Sequence, residues 1–103
     1  MNKVILLGYV GRDPRMRMES GLHIADFPLA TNERSSANLE LTEWHNIVMT
    51  GQAADFAEKY IRKGSFILLE GKLRTRRWND AAGISRSRTE IYVDSFELLP
   101  SRS

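Results

Sequence analysis

A single window of helical periodicity, set among segments that alternate like strands, constrains this chain more than any other feature. Over residues 53–61 the apolar side chains Ala53, Ala54, Phe56, Ala57, Tyr60 and Ile61 form one stripe. Asp55, Glu58, Lys59 and Arg62 lie largely opposite, and Gly64 follows where a left-handed helix C-cap is expected. Everything around this window reads as strand or turn. Residues 4–10 are apolar and rich in β-branched side chains, as in a buried strand, and Gly11-Arg12-Asp13-Pro14 ends them. Arg15-Met16-Arg17-Met18 is a short strand with one wet face. Ser20-Gly21 turns into residues 23–31, where Ala25, Phe27 and Leu29 share a face. Pro28 cannot donate to a ladder, which predicts an edge or a bulge there.

Residues 31–42 are polar and predict a mobile loop at a hairpin tip. The next strand, 43–50, sets Trp44, Asn46, Val48 and Thr50 against His45, Ile47 and Met49. After the helix, residues 65–78 return to strand period. The turn over 79–83 leads to a last strand, 88–96, with Ile91 and Val93 on one side and Tyr92 and Phe96 on the other. An all-β chain with one short helix between the third and fourth main strands suits a five-stranded Greek-key OB-fold barrel. A small sandwich or an SH3-like barrel is the alternative, and the lone mid-chain helix favours the OB fold. The 103 residues form one domain, 1–99, with a short disordered tail over 100–103. So small a domain leaves much surface exposed, which self-association would relieve.

No apolar run approaches the roughly 18 residues of a membrane span. The start, Met1-Asn2-Lys3-Val4, lacks the basic region and cleavage site of a secretion signal and reads as a strand. Cysteine is absent, which excludes disulfides, cysteine-ligated zinc and thiol catalysis. These features suit a cytoplasmic protein.

Charge is unevenly spread. Residues 1–58 carry net −3 and residues 89–103 net −2, whereas residues 59–88 carry nine basic side chains against Glu70 and Asp80. Such a block either faces a polyanion or is a solvated face. Its centre is Lys72-Leu73-Arg74-Thr75-Arg76-Arg77-Trp78. In a strand, Lys72, Arg74, Arg76 and Trp78 project from one face at intervals of about 6.6–6.8 Å. Like charges so placed repel each other without an anion, and an aromatic ring beside them can stack on a base. Trp44 shares its face with Asn46 and Thr50, a wetter setting than a core tryptophan has.

Nothing in the sequence assembles a catalytic centre. His23 and His45 have neither cysteine partners nor helical ligand spacing, so no metal is expected. Gly8-Tyr9-Val10-Gly11 lacks the lysine and helix of a phosphate loop, and no nucleophile-elbow pattern occurs. Asp13, Asp26, Glu43 and Glu90 are scattered and read as turn and surface-pairing residues. Neither an enzyme nor a cofactor is expected.

Taken together, these residues resemble the bacterial single-stranded DNA-binding protein family over 2–99. The matching segments occur in register: residues 2–6, Gly11-Arg12-Asp13-Pro14, residues 24–27, Leu29-Ala30-Thr31, Thr42-Glu43-Trp44-His45, residues 60–65, residues 70–78 and Thr89-Glu90-Ile91. The resemblance implies an OB-fold that binds and protects single-stranded DNA, whatever its sequence, during replication, recombination or repair. It implies a homotetramer, a dimer of dimers in which first strands pair between subunits and DNA wraps the outside. By position, Trp44 and Trp78 become base-stacking platforms. Arg62, Lys63, Lys72, Arg74, Arg76, Arg77 and Arg86 become backbone contacts, with Lys3 a lesser one. His45, Val4 and Leu6 fall at subunit contacts.

Three departures from the family pattern carry consequences. The family usually has stacking aromatics at the positions of Thr50 and near Ser35, and this chain has neither. Each missing platform is worth roughly 1–3 kcal/mol, which predicts weaker binding or a shorter footprint per subunit. Tyr9, where the family tends to have asparagine, is a candidate replacement. Third, the family's chains usually run on into a linker with an acidic tip that recruits other enzymes. This chain stops at Ser103, so tail-mediated recruitment is not expected of it.

Overall fold

Apolar side chains recurring at every second residue set six strands, and the one helical window sets the helix. The computed structural model describes residues 1–100. The elements are β1 (Val4–Val10), β2 (Arg15–Glu19), β3 (Leu22–Arg34), β4 (Glu40–Thr50), α1 (Gln52–Tyr60), β5 (Phe66–Asn79) and β6 (Ser85–Leu99). Apart from Pro100, the expected tail lies outside the described residues.

The sheet order is β1-β5-β6-β4-β3-β2, and β1 also pairs with β3. That extra pairing, Tyr9 with Ala30 and Val10 with Leu29, closes β1, β5, β6, β4 and β3 into a five-stranded barrel. β2 lies outside the ring along β3. The helix falls between the third and fourth barrel strands in chain order, as the sequence predicts. Closure leaves few free edges, which is how small barrels avoid edge-to-edge association.

Inward-pointing side chains fill the ring. Ala25, Phe27, Leu29, Ile47, Met49, Ile67 and Leu69 are fully or almost fully buried, and Ala54, Ala57 and Ile61 bring α1 across one end. Complete burial of each larger side chain stabilises the fold by about 1.5–3 kcal/mol.

Several local expectations change. The predicted loop over 31–42 shrinks to a tip, because β3 and β4 stay paired as far as Arg34 and Glu40. Within the tip, the Asn38 amide donates to the Ser35 carbonyl and the Ser35 amide to that of Leu39. Pro28 lies inside a paired strand, opposite Asn46 of β4. It is tolerated because its other edge is where β3 changes partner: β2 pairs up to Asp26, β1 begins at Leu29, and the Pro28 carbonyl accepts from Gly11. Gly64 does not cap the helix, which ends at Ile61 in an extended conformation. It takes φ 89° inside the turn Arg62–Ser65, where the Ser65 amide bonds the Arg62 carbonyl.

The last strand also corrects the expected faces. The register runs Glu70 with Ser95 and then Gly71 with Val93, leaving Asp94 as an extra residue in β6. One inserted residue flips the side chains beyond it. Phe96 and Leu98 therefore join Ile91 and Val93 against the core, and Phe96 does not share Tyr92's side. The bulge needs Gly71, since a Cβ there would lie 2.2 Å from the Tyr92 carbonyl oxygen.

Candidate nucleic-acid interface

Since Ile47, Met49, Ile67, Leu69 and Ile91 point inward, the alternate residues of β4, β5 and β6 form a continuous outer face. The registers arrange it in rows. Arg15, Asp26, Val48, Tyr92 and Lys72 stand in line across β2, β3, β4, β6 and β5. Further along, Pro28 faces Asn46 and Glu90 faces Arg74, followed by Ala30 with Trp44 and by Arg88 with Arg76. Trp78 pairs with Arg86 at the outer end of the β5–β6 hairpin.

Both tryptophans are open to solvent, Trp44 at 60% and Trp78 at 43%. Trp44 lies against the backbone of Gly11, where an added Cβ would fall 2.5 Å from its ring atom Cζ3 and 3.2 Å from Pro28 Cγ. The Cζ3–Cη2 side of the ring is thus seated on Gly11 while the indole stays largely exposed. Trp78 has the Arg76 guanidinium 5.5 Å from its ring centroid. Beside it a cleft of about 370 Å³ is lined by Arg77, Trp78, Asn79, Ser85, Arg86 and Ser87. A chain of neighbours joins the two indoles. Trp44 is followed on its face by Asn46, whose Oδ1 accepts from Arg88 Nη2 at 2.9 Å; Arg88 pairs with Arg76, which reaches Trp78.

Two carboxylates lie beneath this surface, Asp26 at 5% exposed and Glu90 at 2%. Arg12 and Arg15 bond Asp26 Oδ1 at 3.1 and 3.3 Å, and Arg17 Nε stands 4.0 Å from Oδ2. Arg76 and Arg88 stand 3.6 and 3.7 Å from the two oxygens of Glu90. Arg76 and Arg88 face each other directly, an arrangement that repels unless an anion lies between them. Each carboxylate fixes the guanidinium groups around it and leaves part of each arginine open to solvent, from 32% of the Arg17 side chain to 66% of Arg15. Sequence reading took Asp26 and Glu90 for scattered surface pairs and left out Arg12, Arg15, Arg17, Arg88 and Tyr92. For Arg88 and Tyr92 the signal was present, because they alternate in phase with Arg86.

The other expected contacts divide into groups. Lys72 lies on the face, 3.8 Å from Asp94, and the Arg74 guanidinium lies over the Tyr92 ring. Arg77 points to the opposite side of β5, although it lines the cleft beside Trp78. Arg62 and Lys63 occupy the turn after α1. Arg62 Nη1 donates to the Glu58 and Ile61 carbonyls, and the Lys63 amide donates to Asp13 Oδ1 at 2.8 Å. That bond ties the turn to the Gly11–Asp13 segment on which Trp44 rests. Lys3 is apart from both tryptophans and pairs with Glu70 at 3.5 Å. Arg86 Nε donates to Asp80 Oδ2 at 2.9 Å, so it is partly neutralised. The Ile84 amide, and after it Arg86, holds the Asp80 carboxyl below the usual aspartate value.

Val4 and Leu6, expected at a subunit contact, pack on the core, because in β1 the outward positions are Ile5 and Leu7. His45 Nε2 is 2.8 Å from Thr31 Oγ1, beside that exposed apolar pair. Tyr9 stacks on Phe66, with centroids 4.7 Å apart, and so belongs to the β1–β5 side. Thr50 is exposed on the outer face, and Ser35 turns the β3–β4 tip. Among the described residues, no group of three His, Asp or Glu side chains converges as metal ligands do, and no helix is long and apolar enough to cross a membrane.

Comparison with known proteins agrees with this geometry. A single-stranded DNA-binding protein of Bacteroides thetaiotaomicron is 48% identical over 106 aligned residues, covering 96% of this chain; the chain spans 66% of that relative's length. A solved Plasmodium falciparum SSB in complex with ssDNA superposes with a TM-score of 0.87 at 32% identity, covering 97% of this chain and 96% of the other. The family model for the single-strand binding protein family matches residues 1–99. A barrel with exposed indoles among anchored arginines, matched over nearly its whole length, makes this chain a member of the single-strand binding protein family.

Proposed function

We propose that this chain binds unpaired DNA irrespective of sequence, with bases stacking on Trp44 and Trp78 and phosphates running along Arg74, Arg76, Arg88 and the Arg62–Lys63 turn. The observation that carries this reading is the exposure of both indoles on one arginine-covered face. Stacking tolerates any base because every base has a π-face, and guanidinium groups recognise phosphate through parallel hydrogen bonds. The activity is binding and protection, in replication, recombination or repair, wherever unpaired DNA arises in the cytoplasm. No catalytic step is involved.

The same reading includes a homotetramer. Its support is the other side of the barrel, where Ile5 and Leu7 are exposed beside Leu68, the Tyr9–Phe66 stack and His45. Along this stretch β1 pairs with β5 alone, so residues 4–8 keep one free edge. An apolar face beside a free strand edge favours pairing with another copy.

Fluorescence titration tests the binding. Oligo-dT of increasing length should quench the tryptophan emission, and affinity should fall linearly on a log–log salt plot with a slope of about −0.7 per phosphate neutralised. Duplex DNA and poly-U should compete poorly; a preference for poly-U would instead favour an RNA-binding OB module. Absence of quenching, or of any dT affinity at low salt, overturns the proposal. Sedimentation of the same sample should give a tetramer, and a monomer at micromolar concentration would refute that part.

A further inference from the structure

On the outer face, away from both tryptophans, a groove of about 280 Å³ runs between the end of β4 and the β5–β6 pair. Val48, only 1% exposed, is among its lining residues, with Thr50, Leu22, Lys72, Arg74 and Tyr92 around it. Tyr92 is in register with Val48 on one side and Lys72 on the other, so its ring stands in the middle of the row. Its Oη donates to Glu90 Oε1 at 3.5 Å. The Arg74 guanidinium carbon lies 4.9 Å from the ring centroid. Thr50, an exposed short side chain, leaves one rim of the groove low.

We infer that this groove is a third nucleotide station, in which an unpaired base stacks with Tyr92 and Arg74 while its phosphate is held by Lys72. The inference rests on the proposed binding of single-stranded DNA and adds a position to it. A phenol ring with a planar cation over it offers a base both a π-face and a guanidinium plane. Lys72 is 3.8 Å from Asp94, and both side chains are about half exposed, so the pair is weak and a phosphate competes for the ammonium. The groove continues the arginine-covered face through the Arg74–Glu90 pairing, so one strand of DNA reaches it without leaving the surface. The aromatic missing at Thr50 is thus supplied from the neighbouring strand. A ring at residue 50 would rise from the groove rim, and the ring at residue 92 stands within the groove.

Photo-crosslinking with the full chain tests this directly. Oligo-dT carrying 5-iododeoxyuridine is bound, irradiated and digested, and the adducts are mapped by mass spectrometry. Adducts at Tyr92 as well as at Trp44 or Trp78 are expected. In parallel, Tyr92→Leu should lower dT affinity by about 5- to 150-fold, the range one base–aromatic stack supplies, while Tyr92→Phe binds as the parent does. Adducts at the tryptophans without Tyr92, or a folded Tyr92→Leu with parental affinity, overturn the station and leave the proposed function standing. A parent chain that does not bind dT overturns both. If Tyr92→Leu fails to fold, the crosslinks decide.

Discussion

At the scale of single residues, the indole at position 44 depends on a glycine far from it in sequence. Nothing in Gly11-Arg12-Asp13-Pro14 suggests more than a turn, but the ring of Trp44 lies where a Gly11 side chain would go. Gly11→Ala should push the indole off this seat, shifting its emission and weakening dT binding by up to roughly 1–3 kcal/mol. The melting temperature should hardly move, because the ring is exposed and swings outward. Parental emission and affinity in this variant would show that the seat is irrelevant. The buried carboxylates carry a similar lesson. A chain reading sees Asp26 between Ala25 and Phe27 and finds no reason to bury it. The reason is tertiary: arginines from β2 and the β1–β2 link converge on it. An unpaired carboxylate at that depth would cost several kcal/mol.

Secondary elements were legible wherever burial alternates with period two or runs at helical period. The window at 53–61 became α1 with a shift of one residue, and 65–78 became β5 with a similar shift. Elements failed to read where partners override propensity. Polar residues such as Asn32, Glu33 and Thr42 look like loop, yet cross-strand pairing keeps them in β3 and β4, where Thr42 Oγ1 donates to Asn32 Oδ1 at 2.7 Å. The bulge at Asp94 had no local signal, since only the alignment of β5 with β6 creates it. The tip of that hairpin makes its own prediction. Asp80 accepts the Ala82 and Ile84 amides and the Arg86 guanidinium, and the Ile84 bond does most to hold its carboxyl below the ordinary value. A carboxylate whose pKa is lowered by folding stabilises the tip fully above the unfolded value, about 3.9, and loses that contribution as pH falls through the folded one. Amide exchange at Ala82 and Ile84 should therefore stay constant from neutral pH to about 4 once intrinsic rates are divided out, and accelerate below it. Asp80→Asn should remove the transition, and an unchanged profile in that variant would contradict the assignment.

In the whole molecule, the barrel separates two surfaces with different chemistry. One, on β2–β3–β4–β6–β5, is covered by arginines anchored on Asp26 and Glu90 and carries Trp44, Tyr92 and Trp78. The other, on β1 and the first half of β5, is apolar around Ile5, Leu7 and Leu68. A polyanion suits the first and another copy of the chain suits the second, so binding and assembly need not compete for the same residues. The direct test is a map of which face DNA touches: backbone, indole and arginine side-chain NMR signals followed as dT oligomer is added. Shifts at the outward positions of β4 and β6, of β5 from Lys72 onward, and at the Arg62–Lys63 turn, including the indole signals of Trp44 and Trp78, are the predicted result. Shifts centred on Ile5, Leu7 and Leu68 with both indoles unmoved would contradict it.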